Sequence, residues 1–515
     1  MREEGQDILF EIHSSITNKS TQSHIKHTFF VPDHTETLYI DFSFHPSHET
    51  NDVNNKQLFE EAEQYYATKL SRKSGDQVKN LLTLSVDDHD GFRGARHYHS
   101  PTQHVIINDD NSTPGFLNRR NPTGLWSITV SVHALVTETC EYRMSVYREY
   151  QSAANTSIPW RHKPLAHRIE DNDINIPIYP QIEGTAQWVP SELHTHTLHS
   201  DGKQSVIEMA EVAKEMDLKA VVMTDHNTIS PFEGIEQAEA HTGIHILYGL
   251  EWTTFYGHLL TIGYEKPTYT DWRVIGPLDI KNGITEIGQH GALVGIAHPF
   301  RIGNPIGTGC HWEFPFESIN EFDFIEVWNS TRPGSKVYNQ RALQYWTDLL
   351  NKGYRITATS GRDWHHNEEN NPIPAITYVM MPEVYEDKEM FRKAFLSSIR
   401  SGRVSISYGK PLDLTVKQEG TVYKIGDVMN KVENKPIIVQ VHTEEWEVND
   451  RIDEKSAFLV IVSSEGEILQ GSPGMLRLDT EINNEHVKWI RAELYASIDH
   501  EKPELVAFTN PIYIR

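Results

Sequence analysis

The sequence predicts an α/β protein, with a core of alternating strands and helices set between two β-rich flanks. Three observations lead there. Residues 186–409 repeat short apolar strands followed by helix-length amphipathic stretches. Residues 1–185 and 410–515 carry short alternating or β-branched runs separated by turn residues. The length of 515 residues accommodates several domains of roughly 100–200 residues each.

In the N-terminal flank, strands are expected at 28–31, 37–43, 81–85, 104–107, 125–135 and 139–148. Asp109-Asp110-Asn111 and Asn121-Pro122-Thr123-Gly124 supply turns between them. Several short strands with turn signals predict a β-sandwich. One helix is expected near 56–72, where Leu58, Ala62, Tyr65 and Leu70 fall at roughly helical spacing. The Pro-containing stretch 157–180 reads as the connection to the core.

In the core, strands are expected at 219–224, 244–249, 259–264, 292–297, 323–328, 355–360 and 376–381. Val206, Met209, Ala210 and Ala213 make one apolar stripe of a helix, with Glu208, Glu211 and Lys214 outside it. Further helices are expected at 336–351 and 387–401. Repeated β–α units argue for a parallel sheet, open or closed. The block is long enough for a compact β/α barrel. The C-terminal flank returns to short strands, beginning LDLTVKQ and ending PIYIR, and predicts a small Ig-like sandwich.

Composition excludes some classes. Lys plus Arg number 47 and Asp plus Glu 72, for a net charge of −25. That charge repels phosphate backbones and argues against broad nucleic-acid binding, while leaving room for a local basic pocket that holds one phosphate. The only cysteines are Cys140 and Cys310, and neither lies in a CxxC. This excludes a zinc finger or disulfide scaffold and suits free thiols in a reducing cytosol. The stretch MREEGQDILFEIHSS has no apolar signal-peptide region, and no run of 18 apolar residues occurs. A cytoplasmic protein without a membrane span is the expectation, and a homo-oligomer is left open.

The chemistry concentrates in the core. Glu192-Leu193-His194-Thr195-His196-Thr197 runs on to His199-Ser200-Asp201-Gly202. Then come Thr224-Asp225-His226-Asn227, Gly249-Leu250-Glu251 with His258 seven residues on, Ala297-His298-Pro299, and Ser360-Gly361-Arg362-Asp363-Trp364-His365-His366. Each group is expected just past the C-terminal end of a strand, the face on which β/α barrels build their sites. Strand alternation puts His194 and His196 on one side, able to grip one metal.

The candidate ligands are His194, His196, Asp201, His226, Glu251, His258, His298, Asp363 and His365. Mixed nitrogen and oxygen donors without thiolate suit Zn, Mn or Fe. Nine donors exceed the needs of one four- to six-coordinate ion, so two or three divalent ions fit better, with Glu251 as the natural bridge. Taken singly, Asp225-His226-Asn227 reads equally well as a helix cap and His298 as a loop histidine; the joint pattern does not. The chain has 28 histidines, and most need no metal. His97-Tyr98-His99 is another HxH, but no comparable donor series surrounds it, and it is read as lying outside the ligand set.

At these residues the sequence resembles the PHP (polymerase and histidinol phosphatase) superfamily. HxHT followed by SDG matches its opening signature, and the TDHN, GLE, AHP and SGRDWH segments resemble its later motifs, over roughly 190–410. The phrasing ELHTHTLHSDG and the β flanks look most like CehA/McbA-type metallohydrolases. The resemblance implies a distorted (β/α)7-type barrel and a di- or trinuclear centre. It places His194, His196, Glu251 and Asp363 on one ion, Glu251, His258 and His298 on a second, and Asp201, His226 and His365 on a third. His199 competes with Asp201 for the third position, and His311 and His366 are candidates for groups around the ligands or the substrate.

Such a cluster suits metal-assisted hydrolysis, in which bound ions lower the pKa of water and neutralise charge in the transition state. Glu251, Asp363, His365 and Arg301 are the candidate catalytic residues. Arg301, with Arg332 and Arg362 behind it, is the candidate phosphate ligand, because guanidinium suits bidentate phosphate recognition. The Gly-rich segment 301–316 reads as a lid or as an ordinary connection. The leading expectation is a phosphoesterase acting on a small-molecule mono- or diester. The alternatives are a carboxylic or carbamate ester hydrolase of CehA/McbA type, an exonuclease, and a non-catalytic scaffold.

Overall fold

The computed structural model describes residues 7–70, 73, 75–150, 186–367, 373–383, 385, 387–444, 451–482 and 486–515. The expected connection at 157–180 lies outside them. Among the described residues, no helix is long and apolar enough to cross a membrane.

The N-terminal flank forms two four-stranded antiparallel sheets. One has the order Asp7–Thr17, Thr139–Tyr150, Thr35–His45, Thr102–Ile107. The other has the order Ser23–Val31, Gly124–Ala134, Leu81–Asp88, Gly91–Arg96. Alternation turns Leu38, Ile40, Phe42 and Val146 of the first sheet and Leu84, Val86, Trp126 and Ile128 of the second into one buried cluster.

The helix of this flank spans Asp52–Tyr65, earlier than the expected 56–72. The Asn51 side chain fixes its start by accepting the Val53 and Asn54 N–H groups. Its buried face is Asn55, Phe59 and Ala62, whereas Tyr65 is exposed and Leu70 lies beyond the helix. Of the expected stripe, Ala62 is on the packed face, while Phe59 and Tyr66 are buried beside the expected Leu58 and Tyr65.

In the core, the helix Val206–Glu215 buries Val206, Met209, Ala210 and Ala213, and a reciprocal Ser205–Glu208 capping box starts it. The helices Ile235–Thr242 and Ile280–Gln289 were not expected. Seven strands follow in the spatial order Thr357–Gly361, Phe324–Asn329, Leu293–Ile296, His258–Ile262, His245–Thr253, Ala220–Met223, Ala186–Glu192. The ends of this run meet: Trp364 donates its N–H to the His194 carbonyl (3.0 Å) and accepts from the His196 N–H (2.9 Å).

The β–α alternation is interrupted once. His258–Ile262 runs antiparallel to both neighbours, in a hairpin with His245–Thr253. His258 therefore opens its strand instead of following one, which corrects the expectation that every donor sits past a strand's C-terminal end. The register pairs His258 with Thr253, so the reversal still brings His258 to the rim that carries Glu251.

The sheet continues past the seven strands. Ile376–Pro382 pairs with Ala186–Glu192, Val404–Ser407 with Ile376–Pro382, and Glu504–Thr509 with Val404–Ser407. The C-terminal strands thus extend the core sheet, and a second sheet of Thr421–Lys424, Asp413–Gln418, Ile437–His442 and Arg477–Ile482 lies beside them. One hydrophobic cluster runs from Trp252 and Ile296 in the core through Trp328 and Trp346 to Phe508 and Leu494.

Candidate metal centre

The first motif is held by its neighbours' side chains. Thr195 donates its N–H to Thr224 Oγ1 (2.8 Å) and its hydroxyl to the Val222 carbonyl (2.8 Å). Asp225 accepts the Thr197 N–H (2.9 Å) and hydroxyl and the Ser200 hydroxyl (2.7 Å), so it braces the loop rather than capping a helix. A Cβ at Gly202 would collide with the His196 carbonyl, which explains a glycine there. Asn227, His298 and Asp363 have φ of 54°, 25° and 55°. Strained backbone at non-glycine residues persists only where surrounding contacts over-determine it.

The candidate ligands converge in three groups whose donor atoms lie within 4.8 Å of one another. They are His194, His196, Glu251 and Asp363; then Glu251, His258 and His298; then His196, Asp201, His226 and His365. Glu251 is fully buried and central. Its Oε1 lies 2.9 Å from His258 Nδ1 and 3.1 Å from His298 Nε2, and its Oε2 lies 3.3 Å from His194 Nε2 and 3.4 Å from His196 Nε2. Asp363 Oδ1 lies 3.0 Å from His196 Nε2. Asp201 Oδ1 lies 3.2 Å from His365 Nε2 and 3.5 Å from His226 Nε2.

The far nitrogens of several of these imidazoles are occupied. His194 Nδ1 bonds Glu326 Oε1 (2.9 Å), His258 Nε2 the Thr308 carbonyl (3.1 Å), and His298 Nδ1 the Cys310 carbonyl (3.3 Å). Such partners fix the tautomer that presents the other nitrogen to a metal. The donors themselves are left hungry. His194 Nε2, His196 Nδ1 and Nε2, Asp201 Oδ1 and Glu251 Oε2 are buried without hydrogen-bond partners. Buried polar atoms are normally satisfied, and divalent cations between these groups would satisfy them; the donor set fits the metal that its chemistry implies.

Electrostatics agree. Despite burial, His194, His226 and His258 hold the Glu251 carboxyl well below the usual range, and His194, Arg301 and His365 do the same for Asp363. Burial likewise opposes charge on His365, but Asp363 and Asp201 raise it to about 9. Burial raises Glu192 to about 7, against the N–H groups of Arg362 and His194 that it accepts.

The other candidates divide. Arg301 pairs through Nη1 with Asp363 Oδ2 and lines the cavity over the donors. Arg332 does not reach it: Glu501 (2.6 Å), Glu504 (3.2 Å) and Asp499 (3.4 Å) of the C-terminal flank enclose its guanidinium. Arg362 lies over the Trp364 ring, 4.8 Å from its centroid. His199 hydrogen-bonds Ser230 Oγ (2.8 Å) through Nδ1, which leaves Asp201 as the carboxylate beside His226 and His365. His311 bonds the Arg301 carbonyl (3.1 Å) and packs on Tyr66. His366 is exposed and does not line the cavity. Of segment 301–316, Arg301, Pro305–Thr308 and Cys310 form one wall of the cavity.

Two sets of residues were missed. Glu326 accepts from His194 and from the His298 N–H (2.9 Å), so it orients two candidate ligands at once. A glutamate inside the apolar run 323–328 was the available signal. His97 and His99 were set aside, yet they line the cavity and, with Asp201, form a further donor group. No spacing rule links them to residues a hundred positions later.

Residues 192–275 match the family model described as the PHP domain. It is also similar to three solved structures. The first is a two-domain protein from Bacteroides vulgatus containing a predicted PHP-like metal-dependent phosphoesterase, with 15% identity, 65% of this chain and 97% of that one covered, and a TM-score of 0.35. The second is from Bifidobacterium adolescentis and is described provisionally as a metal-dependent phosphoesterase, with 17% identity, coverage of 40% and 96%, and a TM-score of 0.27. The third is an amidohydrolase from Chromobacterium violaceum with bound sulfate and no metal, at 16% identity, coverage of 35% and 89%, and a TM-score of 0.25. No curated protein matches the chain.

Proposed function

We propose that this protein is a metal-dependent hydrolase of phosphate esters, acting on a small-molecule mono- or diester at a di- or trinuclear centre on a distorted (β/α)7-type barrel. The observation that carries the reading is the convergence of nine His, Asp and Glu donors in three groups, several of their buried atoms lacking any partner. His194, His196, Glu251 and Asp363, then Glu251, His258 and His298, then Asp201, His226 and His365 would hold the ions. Bound Zn, Mn or Fe supplies Lewis acidity and water activation.

The chain's own residues do the positioning. Glu326 fixes the His194 tautomer and tethers the His298 backbone. Arg301, partly exposed and kept protonated by the Asp363 carboxylate, faces the cavity and is placed to exchange that carboxylate for phosphate oxygens. The cavity holds about 370 Å³, near the lower end of the roughly 300–1,000 Å³ typical of small-ligand sites, which favours a small substrate over a polymer. A cationic side chain and a third donor group at the cavity favour a phosphate ester over the carboxylic or carbamate ester of the CehA/McbA reading.

The test is turnover of p-nitrophenyl phosphate, bis-p-nitrophenyl phosphate and 1-naphthyl acetate by protein supplied with Mn, Zn or Fe, with His196→Ala as control. Phosphate-ester turnover lost in the variant supports the proposal. Turnover of 1-naphthyl acetate alone replaces it with the carboxylic-ester reading, and no metal-dependent turnover of any substrate returns the scaffold reading.

A further inference from the structure

The N-terminal sandwich does more than cover the cavity. His97 follows directly on its strand Gly91–Arg96. The imidazole is 5% exposed, its ring centroid lies 4.6 Å from that of His226, and its Nδ1 is buried with no hydrogen-bond partner. Two residues on, His99 places Nε2 3.5 Å from Asp201 Oδ2. Donor atoms of His97, His99 and Asp201 lie within 4.8 Å of one another.

Asp201 stands between two sets of imidazoles. One oxygen, Oδ1, faces His226 and His365, and the other faces His99. That is how a bridging carboxylate is placed between neighbouring ions. A hydrogen-bonded ion pair would account for His99 alone, but it leaves a buried imidazole nitrogen at His97 unsatisfied, which is costly.

The segment is also held firmly enough to act as a ligand arm. The Ala95 N–H donates to the Gly115 carbonyl (3.0 Å), tying the strand to its neighbouring loop. The Gly115 N–H donates to Ser230 Oγ (3.1 Å), and Thr228 Oγ1 donates to the Gly115 carbonyl (2.7 Å). Thr228 and Ser230 directly follow the TDHN motif, so one set of bonds ties His97 and His226 together.

We propose that His97 and His99, with Asp201, hold a divalent cation supplied across the two domains, Asp201 linking it to the His226–His365 group. Two imidazoles and a carboxylate suit Zn or Mn, with water completing the shell. The proposal rests on the reading of the core as a metal centre.

The experiment counts ions rather than turnover. Full-length protein is stripped with chelator, reloaded with Mn(II) or Zn(II) alone, and gel-filtered, and metal per chain is measured for wild type, His99→Ala and His97→Gln. Each variant is expected to hold one ion fewer per chain. An unchanged count with unchanged resistance to chelator in both variants overturns the proposal while leaving the core reading intact; a wild type that binds no ion overturns both. Wild-type crystals grown with Mn(II) give a readout that does not depend on how the variants fold. An anomalous peak at bonding distance from His97, His99 and Asp201 is expected, and peaks at the core groups with none there overturn the proposal.

Discussion

The two β flanks meet the core in different ways. The C-terminal flank shares its sheet and its hydrophobic cluster: Glu504–Thr509 pairs with Val404–Ser407, and Phe508 packs against Trp328 and Trp346. Asn510 seals the joint by donating to the Ala358 carbonyl (2.9 Å) and accepting its N–H (2.8 Å). The N-terminal flank keeps a core of its own and docks by polar and aromatic contacts. Arg273 reaches Asp87 Oδ1 (2.8 Å) and Ser85 Oγ (3.0 Å), His24 packs on Phe255 and Trp272, and Tyr66 bonds the Asn304 carbonyl (3.1 Å).

The difference has a consequence for the site. A flank joined by sheet continuation stiffens the strands but has no side chain to offer their open rim. A flank docked over the rim does. Among the described residues, Phe59, Lys79, Leu81, His97 and His99 line the cavity from the N-terminal side, and none beyond residue 409 does.

The largest expected effect sets the baseline for both flanks. Glu251→Gln removes the shared carboxylate of two donor groups, and steady-state assays should show turnover down by about a thousandfold or more, with metal content reduced. Retention of turnover within tenfold would move the chemistry out of the core and dissolve the contrast.

Next comes the N-terminal joint. Arg273 and Asp87 are 10% and 19% exposed and share two hydrogen bonds. Arg273→Ala leaves that carboxylate, and Asp271, without a counterion, at a cost of about 3 kcal/mol. Thermal unfolding should register it, and phosphate-ester turnover should fall about tenfold as the cavity wall loosens.

A pH dependence sharpens the same joint. Burial, then Arg273, lowers His24 from 6.5 to about 4. Between those values the unfolded chain binds a proton that the docked form does not, so stability is fully present above pH 6.5 and declines as pH falls toward 4. The melting temperature of wild type should drop more between pH 7 and pH 5 than that of His24→Gln. Equal drops would remove His24 from the interface energetics.

The smallest effect is expected on the other side. Arg332 sits in a partly exposed acidic cluster, and Arg332→Ala should cost about 1 kcal/mol or less and change kcat/KM by less than about twofold. A larger kinetic loss would restore Arg332 to the substrate site.

Much of the core was legible because its signals are local. Strand alternation and an apolar stripe at Val206, Met209, Ala210 and Ala213 are properties of ten or fewer neighbouring residues. The helix near 56–72 was misplaced because Asn51, a cap outside the apolar spacing, sets its start. The hairpin at His258 escaped because direction of pairing is not written in one strand's pattern. Arg332 looked like a phosphate ligand until Asp499, Glu501 and Glu504, more than 150 positions away, enclosed it.

The sequence by itself determined which donors the protein owns and that the core strands would carry most of them, because side-chain identity and alternation are fixed residue by residue. The tertiary structure alone decided that Glu326 would orient His194, that Asp201 rather than His199 would face His226, and that His97 and His99 would enter the cavity. Those outcomes depend on distances between segments far apart in the chain, and packing of the whole molecule sets such distances.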